Sequence, residues 1–175
     1  MSDAPRAPEV ETYRFVDDGI VPNNAALPLV VYRGALAESG DRAAACEQMF
    51  ARHGWGDGWR NGIYADHHYH STAHEVLGIA RGNAVVRFGG DNGTELAIAA
   101  GDVAILPAGT GHQCLSSSAD FSIVGAYPPG ARAEITRATP ENHAKALRTI
   151  PEVKLPKTDP VLGENGPLVK LWKRG

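Results

Sequence analysis

A chain of 175 residues with 43% hydrophobic content fills one core but not comfortably two, so residues 1–175 are expected to form a single domain. Seventeen Lys and Arg stand against twenty Asp and Glu, with no block of like charge. This excludes the electrostatic footprint of a nucleic-acid or membrane-surface binder and leaves a small molecule as the expected partner. A polar, Pro-containing start, no apolar run of about eighteen residues and only Cys46 and Cys114 set the expectation of a soluble, cytoplasmic protein without a disulfide framework.

In chain order, Tyr13 to Ala35 reads as an extended arm with turn signals at Asp17-Asp18-Gly19 and Pro22-Asn23-Asn24, and it is expected to join a sheet. From Asp41 as N-cap to Gly54 as stop, Ala43, Cys46, Met49 and Phe50 recur at helical spacing, which predicts an amphipathic helix with that stripe in the core. Trp55 and Trp59, in a Gly-rich stretch, are read as cover for one end of the fold. From Gly62 to Tyr127 short apolar runs are broken every eight to twelve residues or so by turn signals, the punctuation of an all-β barrel or sandwich. Arg87, between Val86 and Phe88, is expected to face outward. Thr139 caps a second short helix with Pro140 at its first position and Pro151 closing it. The segment Leu168 to Trp172 alternates apolar and polar residues and is read as an edge strand.

The chemistry concentrates in His67, His68, Tyr69, His70, His74 and Glu75. Side chains two apart on a strand share a face, so His68 and His70 point one way while His67 and Tyr69 point the other. Ser71, Thr72 and Ala73 have the length of a hairpin turn, after which a returning strand would bring Glu75 opposite the histidine pair and turn His74 outward. Imidazole nitrogen with carboxylate oxygen suits zinc, iron or manganese. His112 follows the strand-like run Val103 to Leu106 and a Pro107-Ala108-Gly109-Thr110 turn, which makes it the natural further ligand. Tyr64 and Asp66 share the parity of His68 and are possible pocket-lining residues, with Asp66 positioned to orient a ligand imidazole through its free ring nitrogen. Cys114 shares the parity of His112 and is a further possible lining residue, although a cysteine is more often a small apolar filler.

These residues carry a resemblance. Gly62, His68, His70, Glu75 and Gly82 keep every spacing of the first cupin motif; Gly101, Pro107, Gly109 and His112 keep those of the second, with only its final Asn replaced, by Ser116. The segment between, Asn83 to Ala100, is short in the manner of bacterial single-domain cupins. The resemblance implies an all-β jelly-roll (double-stranded β-helix) barrel spanning about residues 30–127, with one or two short flanking helices and a C-terminal helix and arm over 128–175. It implies one divalent transition metal ion (iron, manganese, nickel, cobalt or zinc) held by His68, His70, Glu75 and His112. A metal-dependent enzyme is expected, an oxygenase or an isomerase or lyase acting on a small chelating substrate, with Glu75 also moving protons; the alternative is a non-catalytic binding or structural module. Strand-like terminal arms and exposed sheet edges add the expectation of a homodimer.

Overall fold

The computed structural model describes residues 7–38 and 40–174. In chain order its strands are β1 (Glu9–Tyr13), β2 (Leu29–Arg33), β3 (Gly56–Asn61), β4 (His68–Tyr69), β5 (Glu75–Arg81), β6 (Asn83–Phe88), β7 (Thr94–Ala99), β8 (Val103–Leu106), β9 (His112–Ser117), β10 (Ser122–Tyr127) and β11 (Thr136–Arg137). They form a six-stranded sheet, β1-β2-β8-β5-β10-β3, and a five-stranded sheet, β11-β4-β9-β6-β7, antiparallel throughout. From β3 onward every connection except the β6–β7 hairpin passes from one sheet to the other, which is the winding of a jelly roll. The all-β barrel read from the turn spacing is therefore the fold. Among the described residues it carries three short α-helices, α1 (Arg42–Arg52), α2 (Pro140–Thr149) and α3 (Pro167–Leu171), and a 3-10 turn at Ile150–Glu152.

Strand composition follows from which faces are covered. Between the sheets lie Leu29, Val31, Leu77, Ile79, Val86, Phe88, Ile98, Leu106 and Ile123. The outer face of the six-stranded sheet, with Val30, Tyr32, Val76, Val103, Ile105 and Val124, is covered in turn by Cys46 and Phe50 of α1, by Trp55, and by Leu168 and Trp172 near the C-terminus. Strands β2, β5 and β8 are thus buried on both sides along most of their length and are mostly apolar, whereas β6 and β7 alternate because one face meets water. Arg87 projects from that wet face to pair with Glu95 at 2.7 Å.

Helix α1 forms as its spacing predicts. Asp41 accepts a hydrogen bond from the Ala44 N–H at 3.0 Å, and Ala43, Cys46 and Phe50 are buried. The helix sits directly on β5 because position 78 is glycine: a Cβ there would collide with the Cys46 sulfur and press on the Phe50 ring. Gly78→Ala is expected to cost about 1–3 kcal/mol of stability, and Cys46→Ala in the same chain to recover part of it; urea unfolding of the three variants checks this.

Three expectations change. The N-terminal arm does join the sheet, but pairing begins at Glu9, ahead of Tyr13, and β11 also adds to the five-stranded sheet beyond residue 127. The Trp55–Trp59 stretch is in part an edge strand, β3, irregularly paired to β10 and with Asp57 at φ 53°, so its glycines mark a bulged strand. Leu168 to Trp172 is helical at its core. Leu168, Leu171 and Trp172 fit a helical stripe as well as an alternating one, and Pro167 occupies the first helical position, where a missing N–H costs nothing. The Leu168 N–H is taken by Tyr32 Oη and Asp159 Oδ2, both at 3.2 Å, and Tyr32 in turn donates to Asp159. Helix α2 is capped by the Thr139 hydroxyl, which accepts from the Asn142 N–H at 3.2 Å; Ala146 is its buried residue.

His74 faces away from the barrel interior, as strand parity requires, yet it is fully buried instead of surface-exposed, because α3 lays the Trp172 ring over it at 4.8 Å. Its Nδ1 accepts from the Ala108 N–H at 2.9 Å. Burial, and after it the nearby Arg174 charge, push its pKa down to about 4. The folded value lies below the ordinary one, so the stability His74 contributes is present above about pH 6.5 and lost as pH falls toward 4, about 3 kcal/mol in all. Chelator-treated His74→Asn protein, whose amide oxygen can replace Nδ1, is expected to lose much less stability over that window than the parent.

Candidate metal centre

His68 opens β4 and His112 opens β9, and the two residues pair directly across the strands. His70 follows β4 on the same face as His68. The hydrogen bond from the Gly109 N–H to the His70 carbonyl, 2.8 Å, docks the Pro107–Gly109 turn beside it. Glycine is required in that turn because its φ is +94° and a Cβ would strike the Asn23 carbonyl. Asn23, itself at φ 51°, ties the turn down further: its side-chain oxygen accepts from the Gly111 N–H and its amide donates to the carbonyls of Gly89 and Val16.

Glu75 reaches the cluster by a different route from the one the sequence suggested. Ser71, Thr72 and Ala73 do not turn a hairpin; they carry the chain from the five-stranded to the six-stranded sheet, where Glu75 opens β5. The His-x-His pair and the carboxylate therefore face each other across the barrel interior. Glu75 Oε2 stands 3.2 Å from His70 Nε2 and 3.5 Å from His112 Nε2. The ligand atoms of His68, His70 and His112 lie within 4.8 Å of one another, and all four side chains are buried.

The tautomers follow from the backbone. His68 Nδ1 lies 3.0 Å from the Asp66 carbonyl, His70 Nδ1 3.0 Å from the Glu134 carbonyl, and His112 Nδ1 3.1 Å from the Thr110 carbonyl. A carbonyl only accepts, so each Nδ1 carries the proton and each neutral ring presents a bare Nε2 lone pair inward. Burial, above all, holds His68 below its ordinary pKa and His112 well below it. Burial also opposes charge on His70, but the Glu75 carboxylate beside it outweighs this and moves the value up. Glu75 Oε2 has no hydrogen-bond donor, although it is buried. Four acceptors thus crowd one dry spot. A single proton relieves one pair of them; a divalent cation relieves all four, and ligands about 2.1 Å from one ion at right angles are about 3 Å apart, close to the spacings of Glu75 to the histidines. The residues present fit a metal ion.

A cavity of about 280 Å³ opens over the cluster, walled by Trp59, Ile63, Leu77, Ile123, Tyr127 and Ile135. Trp59 packs against Gly125 and donates from Nε1 to Tyr127 Oη at 2.8 Å. Burial first, and the charge of Glu75 second, push the Tyr127 phenol up to about 12, so it is a neutral O–H at physiological pH. Tyr64 lines the mouth, half-exposed, its ring edge-on to His68 at 5.5 Å.

Two possible lining residues are not in the wall. Asp66 is exposed, and it is its carbonyl, not its carboxylate, that orients His68. Cys114 is partly buried against the apolar core between the sheets, and its thiol turns back toward the Ser116 carbonyl at 3.5 Å. Ser116, in place of the motif's Asn, lies within β9 beside the irregular pairing of Val85 and Val86, and the strand runs on to Ser117. His67 points away from the cluster, half-buried against Gly111. The sequence reading missed Tyr127, Trp59 as a wall, and the Glu134 carbonyl. Parity with Ile123 along β10 is the signal that places Tyr127 inward; nothing local marks the Glu134 contact, which depends on the return of the chain through β11.

Two facing antiparallel sheets, with both motifs' side chains meeting between them, give this chain the double-stranded β-helix fold of the cupins. It belongs to the family of the "Uncharacterized protein YjlB" of Bacillus subtilis strain 168, to which it is 42% identical over 164 residues, 94% of this chain and 97% of that protein. No family model matches it. Among solved structures it is similar to an uncharacterized conserved protein with a double-stranded β-helix domain from Klebsiella pneumoniae (16% identity, 79% of this chain and 86% of that one, TM-score 0.36). It is also similar to acireductone dioxygenase from Bacillus anthracis with a cadmium ion in its active center (17%, 74% and 78%, TM-score 0.35) and to RmlC from Streptococcus suis in complex with dTDP-D-xylose (16%, 95% and 95%, TM-score 0.35). No helix among the described residues is long and apolar enough to cross a membrane.

Proposed function

We propose that this chain is a metal-dependent enzyme that holds one divalent transition metal ion through Nε2 of His68, His70 and His112 and a carboxylate oxygen of Glu75, and that it acts on a small chelating organic molecule as an oxygenase or an isomerase or lyase. The observation that supports this most is the set of four buried acceptor atoms turned to one point, three of them with their tautomer locked by a backbone carbonyl. When bound, the ion supplies Lewis acidity and a template for two substrate oxygens. The chain does the rest. Trp59, Ile63, Leu77, Ile123 and Ile135 exclude water and favour a flat or apolar substrate body. Tyr127, oriented by Trp59, offers a hydroxyl to a substrate atom, and the Glu75 carboxylate is placed to take a proton from the substrate.

Metal analysis of tag-free protein tests the reading. About one equivalent is expected in the parent and in His67→Ala, and near none in His70→Ala or His112→Ala; equal loss from all of them overturns the ligand assignment. A small-chelator screen with an oxygen electrode then looks for turnover, and water-proton relaxation of manganese-loaded protein reports whether solvent reaches the ion. A closed ion with no exchanging water favours a binding or structural role over catalysis.

A further inference from the structure

A second and larger cavity, about 1220 Å³, lies outside the barrel, on the far side of the chain segment that follows β10. Residues 128–132 of that segment line this cleft, while Ala133 and Ile135 line the metal pocket, so the two are separate spaces divided by one strap. The opposite wall is the segment from Glu152 to Thr158. Four cationic side chains line the cleft, Arg52, Arg132, Lys154 and Lys157, against two carboxylates, Glu152 and Glu164. This local excess of two positive charges sits in a chain whose formal net charge is −3. Among the described residues none of the four cations is in an ion pair.

Unpaired cations drawn from two walls around one concave surface are the complement of an oxyanion.

We propose that this cleft is a second ligand site, for a small organic molecule bearing a phosphate or carboxylate group, with Arg132 and Lys154 as its main anchors from the two walls. The anchors are exposed side chains, so replacing them leaves the core untouched. The test is a titration of the protein with inorganic phosphate, and separately with succinate, at constant ionic strength, followed by backbone amide NMR. Saturable shifts confined to residues 128–132 and 152–158 are expected, with a dissociation constant of about 1 mM or tighter, and the stronger of the two probes identifies the anionic group. The double variant R132A/K154A is expected to bind at least about tenfold more weakly, whereas His112→Ala binds like the parent. Shifts that never saturate, that sodium chloride reproduces, that survive the double variant, or that vanish in His112→Ala because the anion sits in the metal pocket would each overturn the proposal.

Discussion

Glu75→Gln is expected to leave a folded protein that still takes up metal at saturating concentration while turnover falls by about 10²–10⁴. The amide keeps an oxygen that can face the ion but has no capacity to accept a proton at neutral pH. Its NH₂ group would also satisfy the bare Nε2 atoms of His70 and His112, now 3.2 and 3.5 Å from the carboxylate oxygen, so the metal-free form should gain stability and metal affinity should drop. Metal binding and turnover therefore separate. Isothermal titration with cobalt, alongside rates on any substrate found by screening, checks this; a variant with unchanged turnover would remove Glu75 from the chemistry and leave it a ligand only.

Trp172→Ala is expected to be the most destabilising single change outside the barrel interior. The ring is 3% exposed, its Nε1 donates to the Pro28 carbonyl at 2.8 Å, and it covers His74. Truncation opens a cavity, removes a hydrogen bond from a buried carbonyl and lets water reach the His74 ring. A loss of about 3–5 kcal/mol follows, or a drop of roughly 6–20 °C in Tm. Because His74 immediately precedes Glu75, metal affinity should weaken with it. A Tm within a few degrees of the parent would show that α3 is a dispensable appendage.

How much of this was legible in the sequence depends on the range of the interactions involved. Helix α1 was, because a cap at Asp41 and a 3.6-residue stripe are local signals that its packing on Gly78 reinforces. So was the shared face of His68 and His70, since strand parity is fixed by the pleat. Glu75 was identified by its spacing, but its place in the opposite sheet was not, because three residues suffice equally for a hairpin or for a crossing between sheets. The burial of His74 depends on Trp172, about a hundred residues away along the chain, and no local pattern reports it, whereas the inward face of Tyr127 could have been read from its parity with Ile123. The C-terminal helix was misread because five residues carry too few periods to separate alternation from a helical stripe, and the deciding contacts, Tyr32 and Asp159, lie elsewhere in the chain.

X-ray absorption at the cobalt edge of protein loaded with one equivalent of cobalt reads the donor set of the metal centre itself. Three imidazole ligands and oxygen donors completing a six-coordinate shell are expected, with one imidazole lost in His112→Ala. Fewer than three imidazoles, a sulfur donor, or a spectrum unchanged by His112→Ala would contradict that donor set.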